Sequence, residues 1–330
     1  MIDTGDVGRR ALLVAPLASW LMPSQAKAQT SAFPSRPVRI IQGYAPGGPA
    51  DLTARVLADR LSVAWKQPVV VEARPGASGT IAAGVVARAA PDGYTLGLVA
   101  STHAVAPLLI PRLPFSVQRD FTPIAQVVSH PLILVVHPSS PARTVQELIA
   151  LARQRRGELT MGTVGVGTSF HLAAAQLAVQ AGVQFTYVPY NGASTAQTAI
   201  IRGEVDALFQ NPLLAVPAVR DDGLRALGTS GTHRWRDLPD VPTIAEAGFP
   251  GYEAKVWYGF LGPASLPADL LARIADSIQA AMEIPEVQAR LQASGFEPSY
   301  VGPAAFGRII EEDFERWGHV IRAAGIQGVE

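Results

Sequence analysis

Two glycine-rich turns hold the residues best suited to grip a ligand. The first is Gly43-Tyr44-Ala45-Pro46-Gly47-Gly48-Pro49-Ala50-Asp51. The second is Gly162-Thr163-Val164-Gly165-Val166-Gly167-Thr168-Ser169-Phe170-His171. Each follows a short strand-like run, Val38-Arg39-Ile40-Ile41 or Leu159-Thr160-Met161, and each leads into a helical pattern. A strand-to-helix turn leaves the first N–H groups of the helix unpaired, and the helix dipole makes that spot favour an anion. Two such turns in separate segments predict a cleft that holds a small carboxylate between two lobes.

Each residue of the turns also has a plainer role. Pro46-Gly47-Gly48 either captures an anion through backbone N–H groups or simply makes a tight turn. Asp51 repels a carboxylate by charge, so it is expected to cap the helix or order the loop, with at most a water-mediated ligand contact. Thr168 and Ser169 supply hydroxyls and a helix cap beside Gly165 and Gly167. His171 either orders the loop from behind or donates to the ligand. Ser101-Thr102-His103, after an apolar strand, fits a pocket floor. Tyr190-Asn191-Gly192 takes the matching place in the second half of the chain. Asp206, early in a strand, reads as structural. Trp257 and Tyr258 read as core or as a wall of the cleft.

Several chemistries are excluded or unsupported. The third glycine of a dinucleotide fingerprint would fall at Phe170, and no Gly-Lys-Ser/Thr follows, so neither nucleotide loop is present. No cysteine occurs, which removes disulfides, cysteine-ligated zinc and a cysteine nucleophile. The histidines form no metal-ligand spacing, and no Gly-x-Ser-x-Gly elbow exists. Neither a metal nor a cofactor is expected. A formal net charge of zero gives no nucleic-acid footprint.

At the N-terminus, Arg9-Arg10 precede an apolar run from Ala11 to Met22, and Ala26-Lys27-Ala28 is a small-x-small cleavage pattern. These features predict a signal peptide over residues 1–28, cleaved after Ala28, and an exported protein. The apolar run is shorter than the roughly 20 residues that span a bilayer. The Arg pair also permits twin-arginine export.

Along the rest of the chain, strand and helix signals alternate. Strands are expected over 38–42, 69–72, 94–100, 124–136, 159–162, 185–189, 205–209, 224–229 and 254–261. Helices are expected over 52–63, 81–89, 144–155, 169–180, 194–202, 213–220, 268–291 and 303–324. Thr144 with Glu147 forms a capping box. The alternation implies mostly parallel sheets flanked by helices, with ligands bound beyond the strand carboxyl ends. The restart near 124–137 and the late strand at 254–261 are where the chain crosses between lobes. Lobe 1 is therefore read as 29–129 plus 251–330, and lobe 2 as 130–250.

The ordered segments resemble the Bug/TctC family, the substrate-binding proteins of tripartite tricarboxylate transporters. The likeness runs through Pro34–Ile41, Ala45–Asp51, Arg74-Pro75-Gly76-Ala77-Ser78-Gly79, Ala90-Pro91-Asp92-Gly93-Tyr94-Thr95-Leu96 and Ser101-Thr102-His103. It continues through Val188-Pro189-Tyr190-Asn191-Gly192, Gly203-Glu204-Val205-Asp206, Leu238–Gly248 and Trp317-Gly318-His319-Val320-Ile321. This resemblance implies a two-lobed venus-flytrap fold of the type II periplasmic-binding class and a periplasmic location. It also implies no catalysis, and delivery of a small carboxylate to membrane permease subunits by a monomeric receptor. The turns Pro46–Asp51 and Gly165–His171 would then grip the ligand from opposite lobes, with Tyr44 and Ala45 beside the first. Three positions depart from the family pattern: Ala73 stands for a common Asn, Asn191 for Lys and Ala175 for Glu. Presentation of ligand to a signalling membrane protein and an exported hydrolase are the competing readings.

Overall fold

The computed structural model describes residues 1–3 and 33–328; the predicted signal peptide lies almost wholly outside the described residues. From Phe33 the chain builds β1 (Val38–Gln42), α1 (Pro49–Trp65), β2 (Val69–Ala73), α2 (Thr80–Ala87), β3 (Thr95–Ala100), α3 (Thr102–Leu109) and β4 (Phe121–Pro131). It continues with β5 (Ile133–Val136), α4 (Val145–Arg155), β6 (Thr160–Thr163), α5 (Ser169–Ala181), β7 (Thr186–Pro189), α6 (Ala193–Ile201), β8 (Ala207–Gln210), α7 (Pro212–Arg220) and β9 (Arg225–Thr229). The last part is β10 (Lys255–Pro263), α8 (Ala268–Met282), α9 (Pro285–Ala293), β11 (Glu297–Val301) and α10 (Pro303–Ala323).

These strands form two sheets, and the fold is two-lobed. One sheet has the order β11-β4-β10-β3-β1-β2 and the other β7-β6-β8-β5-β9. Both sheets are mixed. Parallel pairs join β1 to β2 and β3, and β6 to β7 and β8. Antiparallel pairs join β10 to β3 and β4, β4 to β11, and β5 to β8 and β9. The βα alternation accounts for the parallel halves. Every antiparallel pair involves β5, β10 or β11: β5 and β10 each enter their sheet directly from a crossing, and β11 follows β10 through α8 and α9. β1 is nearly fully buried because it is paired on both edges and covered by helices.

The chain leaves the first sheet between β4 and β5, at the single residue Leu132. It returns between β9 and β10. Ser230 stitches these crossings. Its N–H donates to Leu132 O at 2.8 Å, and Leu132 N–H donates to Ser230 Oγ at 2.7 Å. Ala254 N–H donates to Ser230 O at 2.9 Å, and Ser230 Oγ donates to Ala254 O. All three residues are buried.

Other elements differ from the sequence reading for local reasons. The helix expected over 268–291 is two, because Pro285 cannot donate a helical bond and starts α9 afresh. α3 and β11 were not expected at all. Thr144 and Glu147 form the expected capping box on α4. Asp206 Oδ2 accepts from Thr160 N–H at 2.8 Å and from Thr160 Oγ at 2.9 Å, while Arg155 holds Oδ1 at 2.7 Å. It ties the starts of β6 and β8 together. Trp257 and Tyr258 are buried in β10, with Trp257 Nε1 donating to Asp313 at 2.7 Å.

Candidate functional site

Both glycine-rich turns are built on one local plan. Gly47 and Gly167 each lie one residue before a helix N-cap, with φ of +77° and +73°, a left-handed region that glycine enters without Cβ strain. The N-caps Gly48 and Thr168 are extended, with φ/ψ of −77°/175° and −70°/158°. The third helical residue then reaches back. Gly47 N–H donates to Asp51 Oδ2 at 2.9 Å, and Gly167 N–H donates to His171 Nδ1 at 3.1 Å. Asp51 and His171 thus fill the same position.

This wiring decides which donors are left for a ligand. In the first turn, Gly47 N–H goes to Asp51, Gly48 N–H goes to Ala45 O at 3.2 Å and Tyr44 N–H goes to Gln42 Oε1 at 2.7 Å. Pro46 and Pro49 have no N–H. The N–H groups of Ala50 and Asp51 find no acceptor among the described residues. In the second turn, Thr168 N–H goes to Gly165 O at 3.4 Å and His171 N–H goes to Thr168 Oγ1 at 3.5 Å. Ser169 and Phe170 N–H are left without an acceptor there. Each lobe therefore offers an adjacent pair of N–H groups at the positive end of a helix longer than ten residues.

The two turns differ in charge. Burial works against the Asp51 carboxylate, but the Arg55 side chain, Gly47 N–H and Gln42 outweigh it and hold its pKa below the ordinary value. Arg55 Nε lies 2.8 Å from Asp51 Oδ2, and Gln42 Nε2 lies 3.4 Å from Oδ1. His171 is buried and its pKa is lowered by desolvation, so it is a neutral imidazole. Because Nδ1 accepts from Gly167, the ring proton sits on Nε2, which has no hydrogen-bond partner among the described residues; the ring packs edge-on to Tyr187, 4.4 Å between centroids.

Among the other sequence candidates, Tyr44 Oη pairs with Thr102 Oγ1 at 3.0 Å. Ser101 Oγ meets Ser169 Oγ at 3.1 Å, a direct contact between residues of the two sheets' helices. His103 turns the other way. It sits between Phe115 and Phe121, buried, with its pKa pushed down to about 4 by desolvation. The cavity beneath Tyr44 and beside His103 is only about 10 Å³. Tyr190 N–H donates to Thr163 O at 2.8 Å and Gly192 N–H to Tyr190 O at 2.9 Å; Asn191 is exposed. Tyr190 thus bonds only to the start of the second turn, and Tyr190, Asn191 and Gly192 make no hydrogen bond to Gly165–His171 or to the first turn among the described residues. Ala45, Pro46 and Gly47 lie exposed at the tip of theirs.

Sequence reasoning missed two features. Ala50 and Phe170 contribute through the backbone, so their side chains carry no signal. Gln42 is fully buried, accepting from Tyr44 and donating to Asp51. Its one visible sign is a polar residue closing an apolar strand directly before a glycine turn. Among the described residues, no cluster of His, Asp or Glu could hold a metal ion. None of their helices is long and apolar enough to cross a membrane.

A two-lobed α/β binding protein, with an anion-ready turn in each lobe, is the class these features define. The chain belongs to the tripartite tricarboxylate transporter family receptors, whose profile matches residues 53–326. It is 35% identical over 321 residues to the "UPF0065 protein in tcbD-tcbE intergenic region" of Pseudomonas sp. strain P51, covering 97% of this chain and 95% of that one. It is 32% identical over 302 residues to BugT of Bordetella pertussis, covering 91% and 93%. A solved R. palustris protein with adipate superposes with a TM-score of 0.80 at 32% identity, over 90% of this chain and all of the other. MatC of Rhodopseudomonas palustris with bound malate superposes at 0.75 with 30% identity, over 88% of this chain and all of the other. The family and its solved relatives are periplasmic solute-binding proteins, and the two relatives just described hold carboxylates, adipate and malate.

Proposed function

We propose that this chain is an exported periplasmic receptor that captures a small carboxylate between its lobes and delivers it, as a monomer and without catalysis, to membrane permease subunits. Lobe 1 comprises 29–129 and 251–330, and lobe 2 comprises 130–250; export ends with cleavage after Ala28. The observation that carries the reading is the repeated turn. Ala50 and Asp51 N–H in one lobe, and Ser169 and Phe170 N–H in the other, are donors with no acceptor among the described residues. A carboxylate bridging them satisfies both helix ends at once and favours the closed arrangement over the open one. The ligand class is a small mono-, di- or tricarboxylate, and the adipate and malate held by two solved relatives, both diacids, support a dicarboxylate within it.

A thermal-shift and calorimetric screen of mono-, di- and tricarboxylates tests this. A ligand at about 100 times its Kd adds about 2.7 kcal/mol to stability. At least one carboxylate should bind. A response to sugars or cations with none to any carboxylate would overturn the reading.

A further inference from the structure

The seam between the lobes contains direct residue-to-residue contacts. Ser101, at the start of α3, meets Ser169, at the start of α5, through their hydroxyls at 3.1 Å. Gly167 lies against Leu109, the last residue of α3. A Cβ built on Gly167 would stand 2.0 Å from Leu109 Cδ1 and 3.3 Å from Cγ. Leu109 has little freedom to yield. It is 5% exposed, so its side chain is enclosed and Cδ1 can swing aside only into space that is already filled.

We infer that Gly167, Leu109, Ser101 and Ser169 form a direct lobe-to-lobe clasp that sets the population of the closed state, and that Gly167 is required for closure rather than for ligand contact. The inference rests on the proposed closing receptor, yet it concerns a different set of contacts. The Gly167 N–H is already given to His171, so it is not a free donor for an anion. What the residue provides is a bare Cα against which Leu109 packs. The left-handed φ of Gly167 belongs to the turn itself, so the strain of any other residue there is present in open and closed forms alike. It cancels from the closure equilibrium. The collision with Leu109 does not cancel, because it exists only when the lobes meet. Apparent affinity scales with the fraction of closure-competent molecules, so loosening the clasp weakens every ligand by a similar factor.

The chain has no cysteine, so introduced cysteines label cleanly. Val63→Cys on α1 and Ile201→Cys on α6 are exposed positions served by separate sheets. Spin labels there report the interlobe distance by pulsed electron resonance, in ligand-free protein and with adipate or malate. Gly167→Ala should shift the distribution to longer distances and weaken binding about tenfold. Leu109→Ala in the same chain should restore the short distance and recover most of that loss, a coupling that loss of a ligand contact would not produce. Ser101→Ala, a mild change that keeps the fold, should weaken all ligands alike by about threefold. Unchanged distances in Gly167→Ala, or failure of Leu109→Ala to rescue it, would overturn the clasp. If no carboxylate of the screen binds but the ligand-free distances respond as stated, the clasp stands and the carboxylate reading falls.

Discussion

The turn after β1 and the turn after β6 share a backbone but not an electrostatic character. In both, a left-handed glycine gives its N–H to the side chain four residues on, at the third position of the helix. In the first turn that acceptor is a carboxylate, buried and held ionised by Arg55 and Gln42. In the second it is a neutral imidazole. The geometry needs only an acceptor, and either group supplies one. The charge is a separate matter. A buried carboxylate under α1 opposes an arriving anion, and Arg55, about half exposed, offsets this in part. The imidazole under α5 does not oppose it. On the proposed reading, the N–H pair of the second lobe would be the stronger anion site, with the first lobe completing the grip.

The largest effect that tests this comparison comes from His171. Truncation to alanine removes a buried ring and leaves the buried Gly167 N–H without an acceptor. The expected loss is about 3 kcal/mol in urea unfolding, with carboxylate binding lost alongside. His171→Asn keeps an acceptor near Nδ1 and should recover part of both. Equal losses in the two variants would mean that the ring acts through packing on Tyr187 and not through the hydrogen bond.

Asp51 should give a smaller and divided result. Asp51→Ala strands Gln42 Nε2, while Gly47 and Arg55 can turn to water, so the cost is about 2 kcal/mol. Asp51→Asn retains an acceptor for Gly47 and removes the opposing charge. Its carboxylate affinity at low salt should rise by about threefold, with stability falling less than in the alanine variant. A fall in affinity for Asp51→Asn would show that the carboxylate itself orders the ligand, against the contrast drawn between the turns.

How far this was readable from the sequence depends on the range of the interaction. The two turns were visible because strand, glycine and helix follow one another locally, and so was the α4 capping box at Thr144 and Glu147. The identity of the turns as one repeated device was hidden, since Asp51 and His171 share nothing but the ability to accept a hydrogen bond. Ala50 and Phe170 act through backbone groups that every residue owns. Ser101 and Ser169 meet across 68 residues of sequence, a contact that only the packing of α3 against the second lobe can create. β11 went unseen because it is an edge strand with a prolyl residue, a register shift and no alternation of buried and exposed positions. The mixed sheets were likewise beyond local reading. Strand direction after the crossing at Leu132 is decided by the path between lobes and not by the residues of β5.

The smallest effect is also the one that isolates the two acceptors from each other. His171 has a folded-state pKa below the ordinary 6.5, so the unfolded chain takes up its proton first. The stability it contributes is complete above about pH 6.5 and declines as pH falls toward its folded value. Asp51 is shifted below 3.8, so its contribution stays complete down to about that pH and is lost only beneath it. Between these limits, acidification should weaken the second turn alone. His103 and His130, both buried with pKa near 4, lower the stability of the whole fold in the same window. A global measurement would therefore blur the contrast. Amide exchange does not, because Gly47 and Gly167 each report the bond to their own acceptor. From pH 7 to pH 5, protection of Gly167 should drop by several-fold relative to Gly47 in the same sample. Parallel changes at both amides would mean that the turns open only with the whole protein, and that acceptor chemistry does not distinguish the two lobes.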